Sequence, residues 1–251
     1  MGNRLEGKVA VVTGAATGIG AAIARRFAGE ACRVVVADVD ADGAASQVAD
    51  IGGLGVIVDV AVEDQVRDLF QTCDRAYGRL DILVNNAGAT GPTASTETLD
   101  IAEWRALFAV NVDGVMLCSK YAIPLLKRQG GAVINLSSRL ISRGRSDYIA
   151  AKFAKFGMTQ AAAQELGPFG IRVNALWPAG VDTEMFRASL KVWAQNEGIS
   201  EEEYARTRMI EPSALGRLVK PEEVAAAALF LASDAASAIT GTTLRVNAGR
   251  M

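Results

Sequence analysis

Val9-Ala-Val-Val-Thr13 runs directly into Gly14-Ala-Ala-Thr-Gly18-Ile-Gly20 and then into Ala21-Ala-Ile-Ala-Arg-Arg-Phe27. The first block is apolar and β-branched with no polar alternation, the pattern of a strand covered on both faces and so of a parallel sheet. The last block carries apolar residues at helical spacing. Between them, glycines let the backbone turn tightly and approach a pyrophosphate, whose charge the free amides at a helix N-terminus can meet. Strand, glycine turn and helix stand in the order that a dinucleotide site needs. The spacing is G-x-x-x-G-x-G rather than G-x-G-x-x-G, and a glycine turn can also be a mere strand–helix connector.

The next strand carries more weight. Val34-Val35-Val36-Ala37-Asp38 ends on a carboxylate, placed where it accepts hydrogen bonds from the adenosine ribose hydroxyls and repels a 2′-phosphate. Neither Thr17 nor Val39 supplies a cation to offset that repulsion. The reading is therefore NAD over NADP, with an ordinary strand-end turn acid as the bland alternative.

Outward from this unit the same alternation repeats. Strands are expected at Lys8–Thr13, Arg33–Asp38, Gly55–Val60, Leu80–Asn85, Ala132–Ser137, Ile171–Leu176 and Thr243–Val246, with helices at 18–30, 41–50, 63–77, 100–127, 147–167 and 221–233. Asp100-Ile-Ala-Glu103 reads as a capping box, and Pro221-Glu222-Glu223 as a helix start with negative charge near the positive end of the dipole. Repeated βα units with right-handed crossovers give an α/β doubly wound parallel sheet, a Rossmann fold, as a single domain over 1–251. The segment 184–220 breaks the rhythm. It follows a strand's carboxyl end, where doubly wound folds bind ligands, and reads as a substrate lid or else as a surface excursion that only packs.

Composition narrows the chemistry. The 251 residues are 50% apolar and 22% charged, with 26 Lys+Arg against 28 Asp+Glu. Without a basic excess, nucleic acid is not an expected partner. The chain has 0 His, which excludes Ser-His-Asp and Cys-His nucleophiles and HExxH zinc sites. Proton transfer must fall to a carboxylate, Lys, Tyr or Cys. Cys32, Cys73 and Cys118 form no CxxC pair and read as reduced thiols rather than metal ligands. The polar start MGNRLEGK has no signal-peptide apolar region, and the longest uninterrupted apolar stretch, Val224–Ala232, is too short to span a bilayer. No membrane partner and a cytoplasmic location are expected.

Tyr148-Ile-Ala-Ala-Lys152 places a phenol and an ammonium one helical turn apart on one face. A free phenol ionises only near pH ~10, and a neighbouring cation favours the phenolate. Shortly before it, Ala132-Val-Ile-Asn-Leu-Ser137-Ser138 is a buried strand with hydroxyls at its carboxyl end. Asn111 is a polar side chain in an otherwise apolar helical stretch, able to bond backbone or water where a helix kinks. Read singly, Ser138 is equally a turn residue and Asn111 equally a buried amide satisfied by backbone.

Together these residues make the chain resemble a short-chain dehydrogenase/reductase of the compact single-domain, NAD-preferring type, essentially end to end. The motifs are Thr13-Gly14-x3-Gly18-Ile19-Gly20, Asp59-Val60, Asn85-Asn86-Ala87-Gly88, Asn111, Ser138, Tyr148-x3-Lys152, Val173-Asn174 with Pro178, and Gly241. The resemblance implies that Tyr148 is the general acid–base, and that Lys152 assists it and holds the nicotinamide ribose. It implies that Ser138 orients the substrate oxygen and that Asn111 anchors a water relay to Lys152. Gly14, Thr17, Gly18 and Ile19 would hold the dinucleotide with Asp38. Asp59 and Val60 would face adenine, Asn85, Ala87 and Gly88 would line the cofactor groove, and Pro178, Val181 and Thr183 would meet the nicotinamide carboxamide and phosphate. A homotetramer is implied as well, with helices 100–127 and 147–167 at one interface.

The sequence departs from the family pattern at particular places. The Ser138-to-Tyr148 loop is shorter than usual, which weakens any substrate analogy and leaves Ser137 as an alternative to Ser138. Pro178-Ala179 stands for the usual Pro-Gly, and Val246-Asn-Ala-Gly249 for a Val-Asp-Gly-Gly run. The shortened loop carries Arg139, Arg143 and Arg145, able to clamp a substrate carboxylate or phosphate or else to serve as solvated or subunit-contact charge. The expected activity is NAD-dependent hydride transfer between nicotinamide and a secondary alcohol or ketone. The alternatives are a 3-oxoacyl-type reductase and a catalytically silent NAD-binding sensor or scaffold.

Overall fold

The computed structural model describes residues 3–138 and 144–250. Within them, β1 (Val9–Thr13), β2 (Arg33–Asp38), β3 (Leu54–Ile57), β4 (Ile82–Asn85), β5 (Gly131–Leu136), β6 (Ile171–Pro178) and β7 (Thr243–Val246) form one parallel sheet. The order in its 7 strands is β3-β2-β1-β4-β5-β6-β7. The chain winds outward from β1 in one direction and from β4 in the other, so the topological switch lies between those two carboxyl ends. The doubly wound architecture expected from the alternation is the one observed.

Period-2 alternation explains the layers. On one face Ala10, Val12, Val34, Val36 and Ile134 pack against α1 (Gly18–Ala28), α2 (Ala41–Ile51) and α9 (Pro221–Ala232), through Phe27, Ala44 and Leu229 among others. On the other face Val9, Val11, Val35, Leu83 and Val133 meet α3 (Glu63–Tyr77), α5 (Gly114–Leu126) and α6 (Ser146–Leu166). Cys32, Cys73 and Cys118 are all buried in these two layers.

The differences from the sequence reading are local. β3 ends at Ile57, not Val60, because Asp59 has turned out of the ladder to give its N–H to Gln65 Oε1 and to accept Ala61 N–H on its own side chain. β6 runs on to Pro178, since β7 still pairs with it at Trp177 and Pro178. The helix expected at 100–127 is α4 (Ile101–Phe108) joined to α5 through a π-helical stretch, Ala109–Asp113. Of the expected capping box at its start, Asp100 accepts Ala102 N–H. By length and composition this continuous helix, Ile101–Leu126, is apolar enough to cross a membrane. In the fold Leu107, Val115, Cys118, Ala122 and Leu126 are buried, the last three within the sheet layer.

The segment after β6 holds α7 (Glu184–Glu197) and α8 (Glu201–Tyr204), with Thr183 and Ser200 capping their starts. Leu190, Ala194, Tyr204 and Met209 make a small core of their own, separate from the two sheet layers. A parallel bridge between Val181 and Val219 closes the base of this excursion.

A buried polar ladder fastens α6 to the sheet. Asn85 Nδ2 donates to Asn135 Oδ1 (2.9 Å), Asn135 Nδ2 to Thr159 Oγ1 (2.9 Å), and Thr159 Oγ1 to the Lys155 carbonyl (2.7 Å). The Lys155 side chain is fully buried and gives Nζ–H to the Leu136 carbonyl at 3.2 Å. Burial, and the Lys152 charge beside it, hold the Lys155 amine well below its ordinary value of 10.5. An amine depressed in the native state binds fewer protons there than in the unfolded chain, so this burial costs stability at neutral pH and the cost fades as pH rises. Lys155→Met is expected to raise thermal stability at neutral pH, by about 1–3 kcal/mol on the usual scale for replacing buried charge with apolar volume. The gain over wild type should shrink as the pH of the thermal melts approaches 10.5.

Candidate active site

At the carboxyl ends of β1 and β4 the glycine turn is locked in place. Gly14 and Gly18 have φ of +63° and +57°, left-handed values that favour glycine. A Cβ at Gly20 would collide with the Gly14 carbonyl. Asn86 Nδ2 donates to the carbonyls of Thr13 (2.9 Å) and Gly14 (2.8 Å), while Thr13 Oγ1 accepts the N–H groups of Asn86 and Ala87, both at 3.1 Å. Asp38 reaches in from β2: its Oδ2 accepts Ala16 N–H at 2.8 Å and its Oδ1 accepts Asp40 N–H at 3.1 Å. The side chain thus secures the turn and still lines the groove.

A cavity of about 590 Å³ runs from Asp38 and Val39, past Gly14–Ile19, to Ser138, Tyr148 and Lys152. Asp59, Val60, Ala87, Gly88, Pro178, Val181 and Thr183 also border it. Of the groove residues expected from sequence, Asn85 is the one misplaced. Its side chain is buried among Asn135 and Ser119, and Asn86 borders the cavity instead. Asn85 closes β4 with its side chain in the sheet layer, whereas Asn86 is the first residue of the turn.

On α6 the two residues of the Tyr148-x3-Lys152 pair face one another, Lys152 Nζ lying 5.3 Å from the Tyr148 ring centroid. The helix turn predicted from the spacing is the geometry found. Ser137 and Ser138 both border the cavity, but Ser137 Oγ is committed to the Lys152 carbonyl at 2.7 Å. Asn111 is fully buried within the π-helical stretch. Its Nδ2 donates to Ala89 O (3.0 Å) and Leu107 O (3.3 Å), and its Oδ1 has no hydrogen-bond partner among the described residues. A Cβ at Gly88 would lie 2.6 Å from that oxygen and 3.5 Å from Lys152 Nζ. Glycine is therefore what lets the amide oxygen and the ammonium approach one gap.

The excursion after β6 supplies the far wall through Met185, Phe186, Trp193 and Met209. Trp193 and Met209 were not singled out from sequence, because only the packing of α7 and α8 brings such distant positions to one surface. Arg139 and Arg143 lie outside the described residues. Arg145 is inside them, buried and bordering the cavity.

These residues fit a dinucleotide. The glycine turn is shaped so that no Cβ blocks the helix N-terminus, a carboxylate stands at the end of β2, and the groove between them continues to Tyr148.

Comparison with known proteins agrees. A family profile described as enoyl-(acyl carrier protein) reductase matches residues 14–250. A short chain dehydrogenase/reductase, astE, of Aspergillus oryzae is 41% identical, with 98% of this chain and 95% of that protein covered. Cis-4-hydroxycyclohexanecarboxylate dehydrogenase of Sinomonas cyclohexanicum is also 41% identical, with coverages of 99% and 98%. Among solved structures, a 3-ketoacyl-(acyl-carrier-protein) reductase from Brucella melitensis complexed with NADH superposes with a TM-score of 0.88 at 34% identity, covering 98% of this chain and 99% of that one. With its fold, its glycine turn and its facing Tyr148 and Lys152, the chain belongs to the short-chain dehydrogenase/reductase family and is an oxidoreductase that works with a nicotinamide cofactor.

Proposed function

We propose that the protein is an NAD-dependent dehydrogenase of secondary alcohols, with Tyr148, Lys152, Ser138 and Asn111 as its reacting set. The observation that carries this reading is the phenol and ammonium facing each other at the floor of a cavity that continues to a carboxylate at the end of β2. When bound, the nicotinamide supplies the hydride acceptor. Tyr148 takes the proton from the substrate hydroxyl, with the Lys152 ammonium facing its ring. Ser138, which borders the cavity just past β5 together with Tyr148 and Lys152, orients the substrate oxygen. Asn111 Oδ1, unpartnered among the described residues and across the Gly88 gap from Lys152, is the acceptor that a proton relay needs.

Gly14, Thr17, Gly18, Ile19 and Gly88 form the dinucleotide cradle, Asp59 and Val60 its adenine side, and Ala87, Pro178, Val181 and Thr183 its nicotinamide side. Asn86 takes the place in the groove that sequence reading gave to Asn85. Asp38 favours NAD, because it presents negative charge where NADP carries its extra phosphate. Residues 184–220 act as the substrate lid of a single 1–251 domain. A homotetramer in the cytoplasm fits the outer face of the long helix and of α6, where Met116 and Phe153 are 56% and 43% exposed. Similarity to a 3-ketoacyl reductase favours 3-oxoacyl reduction as a second reading.

Tyr148→Phe should lower kcat about 10³-fold, within the usual range for one positioned acid–base group, while NADH still binds in a fluorescence titration. A catalytically silent sensor would have no turnover to lose. Asp38→Ala should narrow the NADH-over-NADPH preference in the same titration, and tighter NADPH binding by wild type would overturn the cofactor assignment. Ser138→Ala is expected to cost about 10²–10³ in kcat, as for a lost oxyanion-type donor. Ser137→Ala should chiefly lower the melting temperature.

A further inference from the structure

Arg145 sits at the start of α6 with 4% of its surface exposed. Its guanidinium carbon lies 4.7 Å from the Tyr148 ring centroid and 5.5 Å from that of Trp193, so the fork is held between the reacting phenol and the far wall. The segment Thr90–Ala94 fixes it from the side. Ala94 N–H donates to the Gly144 carbonyl at 3.1 Å, and Arg145 Nη2 donates to the Thr90 carbonyl at 2.6 Å. Among the described residues its Nε–H is buried without a partner, and no carboxylate lies within ion-pair distance. Asp147, two positions on, favours the cation through space together with Tyr148 and Tyr204, but burial outweighs them and pulls the guanidinium below its ordinary value. A buried cation is ordinarily paired, because desolvation is costly unless an anion answers it. This one borders the cavity that holds Ser138, Tyr148 and Lys152.

We propose that Arg145 is a substrate-binding residue whose missing counter-ion is a carboxylate on the substrate, so that the alcohol oxidised is a hydroxy acid. The guanidinium fork matches a planar carboxylate. Met185, Phe186 and Trp193 offer apolar surface to the carbon skeleton that joins carboxylate to carbinol. Among the described residues the cations bordering the cavity are Arg145 and Lys152, and Lys152 faces Tyr148, which leaves the one guanidinium to suit a singly charged group on the substrate. The inference rests on the dehydrogenase reading and names its substrate class.

The test is NAD+ reduction by the full-length protein on linear and cyclic 2-, 3- and 4-hydroxy acids, each paired with its neutral amide and, where made, its phosphate ester. A second readout is binding of cyclohexanecarboxylate and cyclohexanecarboxamide to the NADH complex, followed by calorimetry. At least one acid should exceed its amide by about 100-fold in kcat/KM, in line with the loss when a buried charged group is left unpaired. The carboxylate should bind more tightly than the carboxamide. Arg145→Gln should bring both ratios to within a few-fold, and Arg145→Lys should keep an intermediate preference. If amides or neutral alcohols are oxidised as well as any acid, or only phosphate esters gain, the carboxylate assignment is overturned while the dehydrogenase reading stands. An equal loss for acid and amide in Arg145→Gln would also overturn it, reducing Arg145 to a support for Tyr148. No oxidation of any alcohol by a protein that binds NADH overturns both.

Discussion

The bond on which this molecule depends is made by one amide. Asn86 Nδ2 donates to the carbonyls of both Thr13 and Gly14, and the Thr13 hydroxyl answers by accepting the amides of Asn86 and Ala87. Parallel strands diverge where they leave the sheet, and carbonyls at those ends lose their ladder partners. The reciprocal clasp satisfies them and fixes the spacing of β1 and β4 at the point where the winding reverses. With Asp38 holding Ala16 from the other side, the glycine turn has little freedom left. A site for a charged, extended ligand gains from that rigidity, since little ordering remains to be done on binding.

α6 is organised in a different way. Its exposed and buried residues form no simple stripe, because the helix has two duties. Toward the cavity it presents Tyr148 and Lys152, and toward the sheet it sends Lys155 and Thr159 into the polar ladder from Asn85 and Asn135. The ladder fixes the helix along its axis more closely than sliding apolar surfaces can, because hydrogen bonds have direction as well as range. The π-helical stretch at Ala109–Asp113 serves the same region from the neighbouring helix. Widening the turn brings Asn111 inward with its Nδ2 on the Leu107 and Ala89 carbonyls and its oxygen left over.

Much of this was legible in the sequence. Unbroken β-branched runs announced strands covered on both faces, and β2 and β7 fell on their expected bounds. The Tyr148–Lys152 spacing needs only helical geometry to become a contact. What stayed hidden depended on the third dimension. Apolar periodicity does not register a hydrogen bond that slips by one residue, so the sequence shows one helix over 100–127 in which only Asn111 hints at a kink. The choice between Asn85 and Asn86 turns on the last pleat of β4. Trp193 and Met209 reach the cavity only because α7 and α8 fold around their own small core. Nothing in the sequence distinguishes Arg145 from Arg139 and Arg143, and its burial and two aromatic contacts belong to the folded chain alone.

The cysteines carry a consequence for handling the molecule. Burial pushes the thiols of Cys32, Cys73 and Cys118 up to about 12. Alkylating agents and disulfide exchangers attack thiolates that they can reach, and burial leaves these three sulfurs largely un-ionised and shielded. The native chain is in effect a blank for sulfur chemistry, ready to accept a fluorophore or spin label at one engineered surface cysteine without prior removal of its own.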